Sequence, residues 1–197
     1  MAILQGFLTY DAEGTEGGPF MSRVLHVPSS TSGLTIGRGY DMKEKSSQKI
    51  TDDLVEAGVD DKQAALLGQA SGLSGDEAKA FIDSNGLGDF EITMEAQEAL
   101  FEKTYAAMSK DVQRICNKDD CVAAYGEVDW ENLEPKIKDI LVDLRYRGDY
   151  TPTSRRRIQA LVSANDLAAI AADLAERDNW SNVPQDRFNR RRDFANS

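Results

Sequence analysis

The chain has little of what several metal-dependent and disulfide-rich classes of protein require. It contains 197 residues but only one histidine and two cysteines. A single histidine, His26, excludes a metal site built from several histidines. Cys116 and Cys121 are too few for a disulfide scaffold and, without nearby histidines, too few for zinc. We therefore predict no metal and no cofactor, and we expect the cysteines either as free structural thiols or as a short-loop disulfide.

Long apolar runs and positive charge are also scarce. No stretch approaches the ~20 apolar residues that span a bilayer, which argues against a membrane partner. The net charge of −11 argues against nucleic acid, because phosphate contacts need a basic surface. The first residues have neither the basic segment nor the small-residue cleavage site of a signal peptide. Residues 145–197 differ from the acidic remainder of the chain, because they contain ten arginines and no lysine. This composition predicts either ion pairs within the chain or contact with an acidic polymer.

What the chain does contain is a short segment that combines strand residues, a turn and an acid. Residues 32–41 read SGLTIGRGYD. Thr35 and Ile36 favour extended backbone, whereas the glycines around them let the chain bend. Successive side chains of a strand alternate faces, so Thr35 and Ile36 should point in opposite directions, one toward solvent and one toward the core. We predict a strand and a tight glycine turn, with Asp41 just past the turn.

A second acid, Glu13, precedes this segment and is followed by Gly14. Two carboxyl groups, one to donate a proton and one to activate water, are the minimum machinery of glycoside hydrolysis. Glu13-Gly14 together with residues 35–41 resembles the active-site region of the phage-lysozyme family of muramidases, and most closely its pesticin-like toxin subgroup. In most phage members the catalytic aspartate lies between the glutamate and the threonine, where this chain has Ser22. In the pesticin-like subgroup it follows the threonine by six residues, as Asp41 follows Thr35 here.

The resemblance implies roles for three residues. Glu13 would be the general acid, Asp41 would activate water or stabilise the oxocarbenium-like transition state, and Thr35 would position the attacking water. Glu16 is the alternative to Glu13, because it also precedes a glycine. Asp41 also has an ordinary interpretation as a turn aspartate that caps the segment after it, and Thr35 as a strand threonine.

Four more residues are candidates for substrate binding. Tyr40, Arg38 and His26 would line the cleft, although a solitary loop histidine is more often structural or solvated. Arg187 resembles the family arginine that pairs near the catalytic glutamate, and its neighbouring arginines are alternatives in register.

The remainder of the chain has a helical pattern. A first helix over residues 2–10 would deliver Glu13, and helices follow from residue 46 onward. The expected helix starts are Ser74 in a capping box with Glu77, Thr93, Asp129, Asn165 and Pro184. The resemblance extends over nearly the whole chain and implies an α+β, mostly α, lysozyme-like fold. We predict one catalytic domain over residues 1–197. Its small β-containing lobe spans about 14–60, its helical lobe comprises about 93–197 plus the N-terminal helix, and the active-site cleft lies between them.

The resemblance also implies an activity. The protein would be a peptidoglycan hydrolase that cleaves the β-1,4 bond between N-acetylmuramic acid and N-acetylglucosamine. We expect a monomeric antibacterial toxin domain or phage endolysin that acts on peptidoglycan glycan strands, in the periplasm of a target bacterium or during host lysis. It would reach the wall by a dedicated secretion route or by lysis, and a toxin would have a cognate immunity protein as a further partner. The alternatives are a non-catalytic wall-binding module on a lysozyme fold and a lytic transglycosylase, which needs the glutamate but not Asp41.

Overall fold

The computed structural model describes residues 5–17 and 21–197, and within those ranges it is mostly helical with one small antiparallel sheet. The helices are α1 (Phe7–Ala12), α2 (Ser47–Glu56), α3 (Asp61–Gly68), α4 (Gly75–Ser84), α5 (Met94–Cys116), α6 (Asp119–Tyr125), α7 (Pro135–Arg147), α8 (Pro152–Ser163), α9 (Leu167–Ala175) and α10 (Gln185–Asn196). The strands are β1 (Thr35–Ile36) and β2 (Tyr40–Asp41). The predicted class, α+β and mostly α, is confirmed. In the described ranges, no helix combines the length and the apolar character needed to cross a membrane.

The end of α1 tests the predicted place of Glu13, and the starts of α4 and α5 test two predicted caps. Helix α1 ends at Ala12, so Glu13 follows it directly as predicted, while the expected beginning at residue 2 lies outside the described residues. Thr93 does cap α5, because its hydroxyl accepts the N–H of Ala96 at 3.1 Å. Ser74 precedes α4, but its side chain makes no capping hydrogen bond, and the predicted capping box is wrong. The reason is local, since the next residue enters the helix with a φ of +52°.

Two later helix starts are also corrected. The predicted start of α7 at Asp129 is wrong, because the helix begins at Pro135, whose fixed φ suits a first helical position. Asp129 instead accepts the N–H of Asn132 in the preceding turn, at 3.3 Å. Asn165 has a φ of 55° and lies one residue before the true cap of α9, Asp166. In both places a polar residue of the adjoining turn resembles a cap in sequence.

The described chain divides into two compact units. Unit 1 is formed by Glu13–Thr104, and unit 2 by residues 5–12 together with Tyr105–Ser197. Helix α5 contributes its first part to unit 1 and its second part to unit 2.

The core of unit 1 packs the hairpin against helices α2 to α4 and the start of α5. Its fully buried members include Leu34, Ile36, Met42, Ile50, Leu54, Leu67 and Leu100. Tyr40 adds a polar link, because its hydroxyl donates to Asp53 Oδ2 at 2.9 Å while Lys49 Nζ lies 2.6 Å from Oδ1. Burial raises the pKa of Asp53, but the hydrogen bonds from Lys49 and Tyr40 outweigh burial and hold that pKa below its usual value. Asp53 therefore fastens β2 to α2 in its ionised form.

This pairing predicts how unit 1 responds to acid. A carboxyl group whose folded pKa is depressed stabilises the protein above the unfolded pKa of about 4, and that stability is lost as the pH falls through the folded value. We expect the free energy of unfolding of the wild type, measured with urea, to fall more between pH ~5 and pH ~2 than that of Asp53→Asn. Asp52→Asn, a change of the exposed neighbour, should follow the wild type. Equal acid sensitivity in all three proteins would contradict the assignment.

Unit 2 is held together by buried ion pairs as well as by apolar packing. Helix α1 packs against α7 and α10, and α9 packs against α8 and α10. Asp143 of α7 is fully buried and accepts from two arginines of α10, Arg187 and Arg191, each at 2.6 Å. Arg191 also donates to Asp149 at 2.7 Å. The arginine-rich end of the chain thus forms ion pairs within the chain, one of its two predicted uses.

Both cysteines also lie in unit 2, and both are free and buried. The Cys116 thiol lies 3.4 Å from the Tyr150 hydroxyl and accepts from the Gln159 amide, also at 3.4 Å. These contacts agree with the structural-thiol interpretation.

Candidate functional site

The turn at residues 37–39 folds β1 back on β2 and fixes the register of the hairpin. Thr35 lies opposite Asp41, and Ile36 lies opposite Tyr40. Directly opposed residues of an antiparallel pair project from the same face. Thr35 and Asp41 therefore share one face, and Ile36 and Tyr40 share the other. The two glycines of the turn have φ values of +63° and +86°, a left-handed conformation that glycine adopts without steric cost. The predicted strand and glycine turn are confirmed. The expectation that one of Thr35 and Ile36 would face solvent is wrong, because both are buried.

The Asp41 carboxylate is bound by main-chain groups. Oδ2 accepts the N–H of Gly33 at 3.2 Å, and Oδ1 accepts the N–H of Lys43 at 2.8 Å. A Cβ atom at position 33 would lie 2.6 Å from the Cβ of Lys43, so glycine is required for the two segments to approach this closely. Asp41 therefore ties the two ends of the hairpin together, and its part in catalysis stays a prediction.

A cavity of about 620 Å³ lies within unit 1 beside Thr35. Its described lining consists of Glu13, Gly14, Met21, Ser22, Val24, Leu25, His26, Val27, Pro28, Thr35 and Gly39. Glu13 and Thr35, two of the three predicted catalytic residues, thus meet at one cavity together with His26. Asp41 is not among the described lining residues. Glu13 is half-buried, while Thr35 is only 4% exposed.

Thr35 is held in place by its neighbours on both sides. Its hydroxyl donates to the carbonyl of Gly33 at 3.1 Å. Its N–H donates to the carbonyl of His26 at 2.9 Å, and its carbonyl accepts the N–H of His26 at 3.0 Å. The segment that carries His26 is therefore paired along β1 and forms one wall of the cavity.

Glu16, the alternative general acid, lies in an ion-pair network. Its carboxylate accepts from Arg38 at 2.6 Å, from Gln97 at 2.7 Å and from Arg23 at 3.2 Å. Burial raises the pKa of Glu16, but the hydrogen bonds from Arg38 and Gln97 outweigh burial and hold the pKa below its usual value. A carboxyl group of lowered pKa is ionised near neutral pH and has no proton to donate. Glu16 is therefore poorly suited to donate a proton, and it is not among the described lining residues of the cavity, whereas Glu13 is.

Three of the four residues predicted to bind substrate contact other parts of the protein. Arg38, 5% exposed, donates to the carbonyl of Gly14 at 2.9 Å. Tyr40, 1% exposed, is bonded to Asp53, and burial raises the pKa of its hydroxyl far above the ordinary value. Arg187 lies in unit 2, where it pairs with Asp143. Their described contacts are structural, and substrate binding by these three residues stays a prediction.

The sequence did not point to two parts of this site. The first is the apolar part of the wall on either side of His26, formed by Val24, Leu25, Val27 and Pro28, for which the strand-forming composition of the segment was the available signal. The second is Gln97, a fully buried side chain that joins Glu16 to Ser22. Gln97 is 81 positions from Glu16, so no local pattern indicates their contact.

Metal binding has no candidate here. Within residues 5–17 and 21–197, no group of three or more His, Cys, Asp or Glu side chains is arranged to hold a metal ion.

Comparison with known proteins gives a family but not an activity. No curated protein matches this chain. One family model matches residues 6–192, a range that includes the hairpin and every described residue of the cavity. Because the match covers far more than half of the sequence, the chain belongs to the family described as Domain of unknown function (DUF8812).

Proposed function

We propose that this protein is a peptidoglycan hydrolase of the muramidase type, with a lysozyme-like fold and Glu13 as its general acid. It would cleave the β-1,4 bond between N-acetylmuramic acid and N-acetylglucosamine as an antibacterial toxin domain or a phage endolysin. The observation that carries the proposal is the cavity of unit 1, which Glu13 and Thr35 line together. These are two of the three residues to which the resemblance to the phage-lysozyme family gives catalytic roles.

The size and lining of the cavity support a carbohydrate ligand. Its volume of about 620 Å³ lies in the range of roughly 300–1,000 Å³ that is typical of small-molecule sites. Met21, Leu25 and Val27 supply apolar surface, while Glu13 and His26 supply polar groups. A pyranose ring has C–H faces and hydroxyl edges, and such a mixed surface is suited to both.

The proposed reaction uses Glu13 as an acid and a second group as a base. Glu13 donates its proton to the bridging oxygen as the bond from that oxygen to C1 breaks. Water then adds to C1 of the oxocarbenium-like species and releases a proton to a carboxylate. Asp41 is the proposed acceptor, because it shares one face of the hairpin with Thr35, and its main-chain hydrogen bonds would fix the orientation of its carboxylate.

A lytic transglycosylase is the second candidate, and one observation favours it. Glu13 is among the described residues that line the cavity, whereas Asp41 is not. A transglycosylase needs the glutamate but no second carboxylate to activate water. A hydroxyl of the muramic acid itself attacks C1 and leaves an anhydro end.

Mass spectrometry of the fragments released from purified sacculi tests both candidates. We expect fragments with reducing ends that have gained one water for each bond cleaved. Anhydro ends would replace the muramidase with the transglycosylase. Binding to sacculi without any released fragment would favour the wall-binding module and contradict both enzymes.

A further inference from the structure

We infer that Glu16 is a positioning residue for Glu13, and that its carboxylate fastens the loop of residues 13–17 to two buried side chains, Arg38 and Gln97. The catalytic consequence of this inference rests on the proposed function. Its structural basis lies entirely within unit 1.

The first part of this arrangement is one guanidinium group that holds the loop at two points. Arg38 donates to the carbonyl of Gly14 at 2.9 Å and to the carboxylate of Glu16 at 2.6 Å. Arg38 lies in the hairpin turn and is 5% exposed, so its position is fixed by packing. The residue directly after Glu13 is therefore tied to the same hairpin whose first strand contains Thr35.

The second part is a buried amide beneath the loop. Gln97 is fully buried in the first turn of α5, and its Nε2 donates to Glu16 at 2.7 Å. Its Oε1 accepts the hydroxyl of Ser22 at 2.6 Å. Because both ends of the amide have partners, its orientation is determined, and Glu16 meets a fixed donor.

The close approach of the loop to these groups explains the glycine after Glu13. A Cβ atom at position 14 would lie 2.7 Å from the Cβ of Ser22 and 3.1 Å from the Cγ of Arg38. A side chain there would push the loop away from Arg38. Gly14 thus lets Glu13 lie against the anchored part of the unit.

The expected effect of losing the anchor is on the position of Glu13 and not on its chemistry. A shift of about 1 Å in a catalytic group can cost about 100-fold in rate. Glu16→Gln keeps the shape of the side chain but removes the charge that Arg38 and Arg23 recognise. We expect kcat on soluble glycan fragments to fall about 10- to 100-fold, with KM changed less than about twofold.

Glu91→Gln is the matched control. Glu91 also forms an ion pair with Arg23, but none of its described contacts is with Arg38 or Gln97. Its kcat should stay within about twofold of the wild type. The pH dependence separates positioning from proton donation: in Glu16→Gln the alkaline limb of the pH–rate profile should keep its position, since Glu13 still supplies the proton.

Amide hydrogen exchange gives a readout that does not need activity. The N–H of Ser22 donates to the carbonyl of Thr15 at 3.0 Å, and it should exchange faster in Glu16→Gln but not in Glu91→Gln. Wild-type kcat together with wild-type exchange in Glu16→Gln would overturn the inference. A residual activity whose pH–rate profile had lost the alkaline limb would also overturn it, because Glu16 would then be the acid.

Two further outcomes keep the test decisive. If Glu16→Gln does not fold, Glu16→Asp retains the charge on a shorter side chain and should show a lower kcat and a faster exchange of the Ser22 amide than the wild type. Wild-type kcat together with wild-type exchange in Glu16→Asp overturns the inference. If the wild type releases no fragments, the proposed function fails, and the exchange of the Ser22 amide still decides whether Glu16 anchors the loop.

Discussion

Replacement of Glu13 by Gln is expected to abolish the loss of turbidity of purified sacculi while the protein stays folded. Glutamine has the shape of glutamate and can donate a hydrogen bond, but it has no proton to transfer to a departing oxygen. General acid catalysis contributes about 10²- to 10⁴-fold to a rate, so we expect kcat to fall at least about 100-fold. Circular dichroism and thermal unfolding should match the wild type, because Glu13 is only half-buried beside the cavity.

The control for this experiment is the same chemical change at another carboxylate of unit 1. Glu44 is exposed and is not among the described residues of the cavity. Glu44→Gln should lyse sacculi at the wild-type rate. A folded Glu13→Gln protein that lysed them equally well would remove the basis of both the muramidase and the transglycosylase proposals.

Asp143→Asn is expected to produce the largest loss of stability. The carboxylate is fully buried, and the change removes the negative charge with which Arg187 and Arg191, 6% and 2% exposed, both pair. Removing one partner of a buried ion pair typically costs about 3–5 kcal/mol. For a chain of this size that corresponds to a fall in melting temperature of roughly 10 °C. Urea and thermal unfolding of the variant measure both quantities.

Asp193→Asn is the control that separates the effect of burial from the loss of an ion pair as such. Asp193 also pairs with an arginine of α10, Arg192, but the two side chains are 66% and 40% exposed. An exposed pair contributes little, so the free energy of unfolding should change by less than about 0.5 kcal/mol. If Asp143→Asn were as mild as Asp193→Asn, the buried pairs would not be a major source of the stability of unit 2.

The features that could be predicted from sequence are those that depend on neighbours in the chain. The hairpin follows from two β-branched residues and the glycines after them, and the cap of α5 follows from Thr93 alone. Glu13 and Thr35 were found through a motif, and the structure brings them to one cavity. The hairpin and the cap depend on residues within a few positions of one another, whereas Glu13 and Thr35 lie 22 positions apart and were identified only through the family motif.

The rest of the site depends on contacts between distant segments. Tyr40 follows the glycine turn and was expected to line the cleft, but its hydroxyl donates a hydrogen bond to Asp53 in the core of unit 1. Glu16, like Glu13, precedes a glycine, and the contacts of Glu16 with Arg38 and Gln97 come from segments distant in the sequence. Such differences arise when the chain folds, and composition or spacing does not contain them.

The division of the chain between its two units has a consequence for the order in which it folds during synthesis. Helix α1 belongs to unit 2 and packs against α7, which begins at Pro135, and α10, which ends at Asn196. The described residues of unit 1 lie between these partners in the chain, so their core can form once Thr104 has left the ribosome. Helix α1 cannot pack against α10 until α10 has been synthesised, and this contact carries the loop-closure entropy of a long intervening chain. We expect α1 to be among the last parts of the molecule to reach its final position, after the hairpin and the loop of residues 13–17 have formed in unit 1.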